Sequence, residues 1–299
     1  MATERTGSTR IMRAVEPGVI ALQYTDRWSA FDRGSSPQLI SGIGVSRCAC
    51  AVKSFKLAHQ AGLRTHFIEQ IDYSTIHVQE FSVPGQESLS GKVHGRVLPL
   101  EWVWRMLAKG SLLERINSGE IDPTALGFPP NTKVTDGMKL PRMILECTTK
   151  FEVIDRHLNI ADAMELAGIS DEQFENVWLL FEKIVQVTNK RYESVGFIVP
   201  DGKGEAGMTP EGELVQVDVF GTQDENRIID AVTGELYSKD LIRNYLKELP
   251  WKRELDMAKV AYRNEKLKWP PYPILPPPLV ELVSERYAEA ALRYDAAQI

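Results

Sequence analysis

The stretch GFIVPDGKGEAGMTPEGELVQVDVFG, residues 196–221, decides how the rest of the chain is read. Two runs rich in strand formers flank Thr209-Pro210-Glu211-Gly212, a turn signal, so the segment is expected to fold back as a β-hairpin. Folding about the centre of that turn sets Lys203 opposite Asp218 and Glu205 opposite Gln216, all four on one face. The other face then carries Gly202, Gly204 and Ala206 opposite Val215 and Val217, small and apolar residues suited to close packing against a helix. Two carboxylates and a lysine on rigid strands suit a Mg²⁺–nucleotide site, because Mg²⁺ takes few carboxylate oxygens and leaves the rest of its octahedron to phosphate and water. A solvated face of ion pairs explains the same residue types.

Ser170 and Gln173, upstream of the hairpin, form a capping box. Phe174, Val177, Trp178, Phe181, Ile184 and Val185 follow on one face of a helix reaching about residue 193. Downstream, Pro270, Pro271, Pro273, Pro276, Pro277 and Pro278 cannot continue a helix or central strand, so an extended arm is expected before one last helix. The first hundred residues are sheet-rich, with strand signals at 19–25, 77–82 and 93–105. A helix over about 45–61 separates them and ends at Gly62. DPTALGFPPNT, 122–132, reads as a long loop.

The chain of 299 residues has room for about two domains, with 43% apolar and 25% charged residues. Three cysteines exclude a disulfide framework, and Cys48 and Cys50 point about 200° apart on their helix without a second ligand pair, which argues against zinc. A formal charge of −6 argues against general binding to nucleic acid or an anionic membrane. Neither a secretory leader nor a run of about 18 apolar residues is present, so a cytoplasmic protein is expected. The five histidines fall in no metalloprotease or nucleophile pattern, and there is no Walker A sequence.

Other concentrations of chemistry lie elsewhere in the chain. TDRWSAFDRGSS, 25–36, carries Asp26, Arg27, Ser29, Asp32 and Arg33 where a strand ends, although turn chemistry accounts for Asp and Ser there equally well. Arg105 and Ser111 flank LAKG, where an arginine fork and a hydroxyl suit a phosphate or carboxylate. In TTKFEVIDRH, 148–157, Lys150 and Glu152 are two apart and are expected to share a strand face, with a surface ion pair as the default. TQDENR supplies Asp224 and Arg227.

Taken in order, these islands resemble the phosphoribosylaminoimidazole-succinocarboxamide synthetase (SAICAR synthetase) family over roughly residues 7–230. DRWSAFD (26–32) is similar to the family's DR-x-SAFD, and LPLEWVWRMLAKGS (98–111) to its P-x-E-x-x-x-R-x-x-x-x-GS. TTKFE (148–152) is similar to its TK-x-E, and DGKGEAG (201–207) to its D-x-K-x-E-x-G. The resemblance implies a two-domain α+β fold with an ATP cleft between a smaller N-terminal sheet domain, 1–97, and a larger C-terminal domain, 98–299. It also implies an ATP-dependent ligase that joins an azole ribonucleotide carboxylate to L-aspartate through an acyl phosphate, with ATP and Mg²⁺ as cofactors.

By that resemblance Lys203 and Asp218 are catalytic, Arg10, Lys203 and Glu205 hold ATP, and Glu205 and Asp218 ligate the metal. Asp26, Arg27, Ser29, Asp32, Arg105, Ser111, Lys150, Asp224 and Arg227 fall on substrate-binding positions, and adenine is expected near residues 95–99. The departures are equally specific. The family's N-terminal G-K-x-K reads Gly7-Ser8-Thr9-Arg10, its G-K-G reads Gly42-Ile43-Gly44, and its acidic D-E pair reads Asp218-Val219. The aromatic that follows its later arginine is replaced around Ile228 and Ile229. These changes favour a specialised paralogue acting on a related azole in nucleoside-antibiotic assembly. The alternatives are the housekeeping purine-pathway enzyme and, from another class, a non-catalytic nucleotide-binding scaffold. Expected partners are small molecules, with neither nucleic acid nor membrane, and self-association is left open.

Overall fold

The computed structural model describes residues 4–296. Antiparallel pairing dominates, as expected where short turns join successive strands. The first sheet is built from β1 (Glu4–Thr6), β2 (Arg10–Glu16) and β3 (Val19–Tyr24). A two-stranded ribbon follows, β4 (Arg27–Ser29) with β5 (Ser35–Leu39), then helix α1 (Ile43–Gln60), and then β6 (Phe67–Gln70) and β7 (Thr75–Gln79), which return to complete the order β1-β2-β3-β7-β6. The expected helix over 45–61 and the strands at 19–25 and 77–82 are therefore present.

A larger sheet takes β8 (Arg96–Val97), β9 (Leu100–Ala108), β10 (Met138–Thr149), β11 (His157–Leu158), β13 (Asp201–Met208) and β14 (Leu214–Val217). Its main path runs β11-β10-β9-β13-β14, with β8 pairing β13 at Gly207 and Met208. Three helices join these strands: α2 (Ser111–Asn117), α3 (Ile160–Ala167) and α4 (Asp171–Ser194). The expected loop over 122–132 holds only one short 3-10 turn, Pro123–Leu126. A small ribbon pairs β12 (Phe197–Ile198) with β15 (Ile229–Asp230). The chain ends in α5 (Asp240–Glu248), α6 (Pro250–Ala261), the proline-rich arm and α7 (Pro277–Asp295). The arm and last helix match expectation, whereas α5 and α6 have no counterpart in it.

Helix α4 shows how the sequence builds this arrangement. Both reciprocal bonds of the Ser170–Gln173 capping box are present. Phe174 and Phe181 meet Trp102 of β9 at ring separations of 5.5 and 5.9 Å, and Trp104 lies 6.2 Å from Phe181. Fully burying side chains of this kind is worth about 1.5–3 kcal/mol each. The glycines of DGKGEAG make this closeness possible. A Cβ on Gly204 would sit 2.7 Å from the Phe181 ring, and one on Gly202 would sit 2.3 Å from Trp104. The back of β13 is thereby pressed onto rings, and Lys203 and Glu205 are driven to the opposite face.

Candidate active site

The hairpin closes between Met208 and Leu214, so its loop has five residues, 209–213, one more than the expected turn. Thr209 N donates to Glu213 O at 2.9 Å and Gly212 N to Thr209 O at 3.0 Å. The extra residue slips the register by one, and Glu205 pairs with Val217 rather than Gln216. Gln216 is wholly buried, and its amide donates to Val217 O at 2.6 Å and Asp218 O at 3.2 Å. Val215 and Val217 lie on the Lys203–Glu205 side, where they join Phe81 and Val97 in an apolar patch.

Continued extension in this register would carry Asp218 to the wrong face. The strand ends at Val217, and Asp218 adopts φ 55°, a left-handed conformation unusual for a residue with a side chain. That turn brings the carboxylate back, where Arg10 Nη2 reaches both of its oxygens at 2.8 Å. His66 Nε2 and Asp218 O, 3.0 Å apart, fix the strained backbone from behind.

Lys203 Nζ donates to Glu101 Oε1 at 2.7 Å, and Lys150 Nζ lies 2.5 Å from Glu205 Oε1 and 3.5 Å from Glu101 Oε1. Lys150 and Glu152 do not share a face, because β10 ends at Thr149. Glu152 turns away to Arg156 at 2.9 Å and Arg263 at 3.6 Å. Burial pushes the Glu205 carboxyl up to about 8, and the neighbouring Asp218 adds to that push. Burial opposes ionisation at Asp218 too, but Arg10 and Lys150 outweigh it and hold that carboxyl below the usual range. Glu101 is also buried, yet Lys203 and Lys150 bring it down to about 2.

These side chains line a polar chamber of about 130 Å³ together with Ser29, Asp224, Glu225 and Lys239. The chamber opens into a cavity of about 380 Å³ through the shared residues Ser8, Thr9, Arg10, Lys150, Glu205 and Asp218. Ile20 and Leu22 of the first sheet, Val97 and Val217 of the second, and Phe81 from the segment between β7 and β8 line this wider end. An apolar slot ending in cations and carboxylates suits a purine nucleotide with its phosphates. A larger groove of about 1440 Å³ beside α4 is not the better candidate, since its charged residues Arg64, Glu182, Lys183, Lys190, Glu193 and Glu213 are all exposed.

A second cluster lies farther along the same face. Arg105 Nη2 donates to Ser111 Oγ at 3.0 Å, while Asp201 Oδ2 lies 3.5 Å from Arg105 and 3.0 Å from Arg227. Glu146 takes Arg105 at 2.6 Å and Arg115 at 2.5 Å, and Asp240 takes Arg227 Nε at 3.5 Å. Two arginine forks and a hydroxyl from two distant segments can hold a phosphate between them. The alternation of β13 sets Asp201, Lys203 and Glu205 in one row, so the two ends of the site lie about 13 Å apart.

Other expected residues are placed differently. Asp26 Oδ1 accepts from Gly44 N at 2.9 Å and so caps α1, and Arg27 Nε reaches Thr25 Oγ1 at 3.3 Å. Asp32 is 2.9 Å from Lys259, outside the chamber lining. Asp224 lines the chamber but is already bound by Arg47 at 2.7 Å and the Tyr287 hydroxyl at 2.9 Å. Among the departures, Ser8 faces the cleft, whereas Ile43 is 1% exposed in the Trp28–Ile40 core and Val219, although it borders the chamber, is 2% exposed in the main core. Glu101, Asp201 and Lys239 are functional candidates that the sequence reading passes over. Glu101 and Asp201 stand inside the quoted motifs, while Lys239 carries no such signal. Burial, reinforced by Arg243 and Lys203, lowers the Lys239 ammonium to about 8.

Among the described residues no three metal-ligating side chains converge. A cation at Glu205 and Asp218 would therefore draw most of its oxygens from phosphate and water, which is the habit of Mg²⁺. The donor set fits that ion, since two crowded carboxylates, one pushed up to about 8, would be relieved by a divalent charge between them.

Among the described residues no helix is long and apolar enough to cross a membrane. Residues 4–258 match the family model described as SAICAR synthetase. Phosphoribosylaminoimidazole-succinocarboxamide synthase of Thermoplasma acidophilum is 32% identical over 273 residues, 90% of either chain. A putative enzyme of the same name from Archaeoglobus fulgidus is 32% identical over 292 residues, 91% of this chain and 85% of its own. Among solved structures, the Saccharomyces cerevisiae SAICAR synthase complexed with SAICAR has a TM-score of 0.73 at 19% identity, over 99% of this chain and 95% of that one. A SAICAR synthetase in complex with ADP has a TM-score of 0.66 at 24% identity, over 90% of this chain and 100% of that one, and these likenesses establish the two-domain α+β fold. With a family match over most of its length and relatives one third identical across nine tenths of it, the chain belongs to the SAICAR synthetase family, ATP-dependent ligases that form a carbon–nitrogen bond.

Proposed function

We propose that this chain carries out the housekeeping reaction of its family, joining the carboxylate of carboxyaminoimidazole ribotide to the amine of L-aspartate at the expense of ATP. One observation carries the reading: the row Asp201, Lys203, Glu205 joins a two-arginine anion site at one end to a polar chamber with an apolar slot at the other. A ribotide held by its phosphate on Arg105, Ser111 and Arg227 directs its carboxylate toward the chamber. The nucleotide lies in the slot between the two sheets, with the division between the two units near residue 97 and adenine against Phe81 and Val97. Neighbours solved in complex with ADP and with SAICAR are consistent with ligands of these kinds.

A carboxylate oxygen of the ribotide attacks the γ-phosphorus, the bond to the β–γ bridging oxygen breaks, and ADP leaves. The aspartate amine then attacks the acyl carbon, the bond from that carbon to the phosphate oxygen breaks, and inorganic phosphate departs with the oxygen. Lys203, Lys150 and Arg10 supply positive charge where phosphate oxygens crowd, and Glu101 holds Lys203 in place. Positioning and electrostatics of this kind provide most of the rate in phosphoryl transfer. Glu205 and Asp218 would hold Mg²⁺, which neutralises phosphate charge when bound.

The specialised-paralogue reading loses its main support. Ile43 and Val219 are core residues rather than altered substrate contacts, and the relatives bear the purine-pathway name. Measuring ADP release with each of the three substrates omitted in turn tests the proposal. Comparison of the imidazole ribotide with a pyrazole carboxylate analogue then separates the two readings. Turnover that needs all three and prefers the imidazole by about a hundredfold supports the housekeeping reaction, and preference for the pyrazole restores the paralogue.

A further inference from the structure

The DRWSAFD loop, 26–32, is the most strained segment near the chamber. Phe31 and Asp32 both adopt left-handed backbone, with φ 53° and 55°, and neither is glycine. Consecutive residues in that conformation persist only where surrounding structure holds them. Ser29, two residues before, lines the chamber, so the loop's conformation sets one wall of the site.

What holds it is the proline-rich arm, beyond the 4–258 match to the family model. The Tyr272 hydroxyl accepts from Ala30 N at 2.7 Å and shares its proton between Ala30 O at 2.6 Å and Gly34 O at 3.0 Å. It bridges the loop across Phe31 and Asp32. Arg33 Nε donates to Pro270 O at 2.8 Å and Nη2 to Trp269 O at 3.2 Å, while the Gln38 amide exchanges bonds with Leu275 N at 2.8 Å and O at 3.1 Å. The ring of Tyr272 lies 4.6 Å from Trp28 and 5.3 Å from Trp251, and Trp251 Nε1 donates to Pro271 O at 2.6 Å. Four prolines between Pro270 and Pro276 give the arm little freedom to lose, so it serves as a stiff strap. Burial keeps the Tyr272 hydroxyl protonated up to about 12, so it remains a donor throughout the working range.

We propose that Tyr272 is a positioning residue of the ligase: through Ala30 and Gly34 it fixes the loop that presents Ser29 to the two non-ATP substrates. The kinetic part of this inference rests on the chamber being the site of ligation, and the conformational part does not.

The test is Tyr272→Phe, which keeps the ring on Trp28 and Trp251 and removes only the hydroxyl. Hydrogen exchange of backbone amides in 28–34 should quicken about tenfold, while the thermal midpoint shifts by no more than about 2 °C. KM for the ribotide or for L-aspartate should rise about fivefold or more, with KM for ATP held within about twofold. Arg33→Ala, which cuts a second tie, should move the same quantities in the same direction. Unchanged exchange in 28–34, or a uniform change in all three KM values, overturns the proposal. If wild-type protein shows no turnover with these substrates, the functional reading fails, and the exchange measurement still decides whether Tyr272 holds the loop.

Discussion

Replacing Glu101 with Gln tests whether the cations of the chamber are held by charge or merely by packing. The Glu101 carboxylate is 11% exposed and lies 2.7 Å from Lys203 and 3.5 Å from Lys150. These lysines overcome its burial and lower its pKa from 4.5 to about 2. A shift of that size corresponds to about 3 kcal/mol of stabilisation. A folded-state pKa below the unfolded one means that this contribution is complete above pH 4.5 and is lost as the pH falls toward 2. Glu101→Gln keeps the shape but leaves the Lys203 ammonium without its carboxylate, while Lys150 keeps Glu205, so urea unfolding at pH 7 should show a loss of about 3 kcal/mol. The gap between wild type and variant should narrow steadily below pH 4.5. Turnover should also drop by about tenfold or more, since Lys203 loses its tether. A loss below about 0.5 kcal/mol, or a gap that does not change with pH, would refute the electrostatic argument.

Other expectations are more local. Gly204→Ala, with its Cβ 2.7 Å from the Phe181 ring, should destabilise by about 1–3 kcal/mol in urea, and a neutral result would mean that β13 is not pressed onto α4. Arg105→Lys keeps the charge but loses the fork, so KM for the ribotide should rise about tenfold or more while KM for ATP stays put. Asp218→Asn should raise the Mg²⁺ concentration for half-maximal turnover about tenfold or more, and full turnover at limiting Mg²⁺ would remove Asp218 as a ligand.

What could be read in the sequence followed the range of the interactions involved. The α4 helix was legible because its capping box and apolar stripe are local. The packing of Gly202 and Gly204 was legible because small residues on alternate positions announce a close neighbour. The hairpin was legible and its register was not, since one additional loop residue reverses every facing and nothing within the turn signals it. The expectation that Asp218 joins Lys203 and Glu205 nevertheless agreed with the structure, for a reason outside the pattern argument: its left-handed backbone undoes the slip. Lys239 was invisible because only tertiary folding brings α5 to the chamber. The exchange of a lysine for Ile43 looked like altered chemistry at the cleft, but the side chain is buried beside Trp28 and Ile40. Linear sequence identifies a substitution without saying which way the side chain faces.

The most direct test of amide formation through an acyl phosphate follows one atom. With both carboxylate oxygens of the ribotide labelled with heavy oxygen, and with ATP, Mg²⁺ and L-aspartate present, phosphorus NMR reads where the label goes. Attack on the γ-phosphorus predicts inorganic phosphate carrying one heavy oxygen for each amide formed, alongside unlabelled ADP. Amide formation with label-free phosphate, or with the heavy oxygen in AMP, would contradict the account.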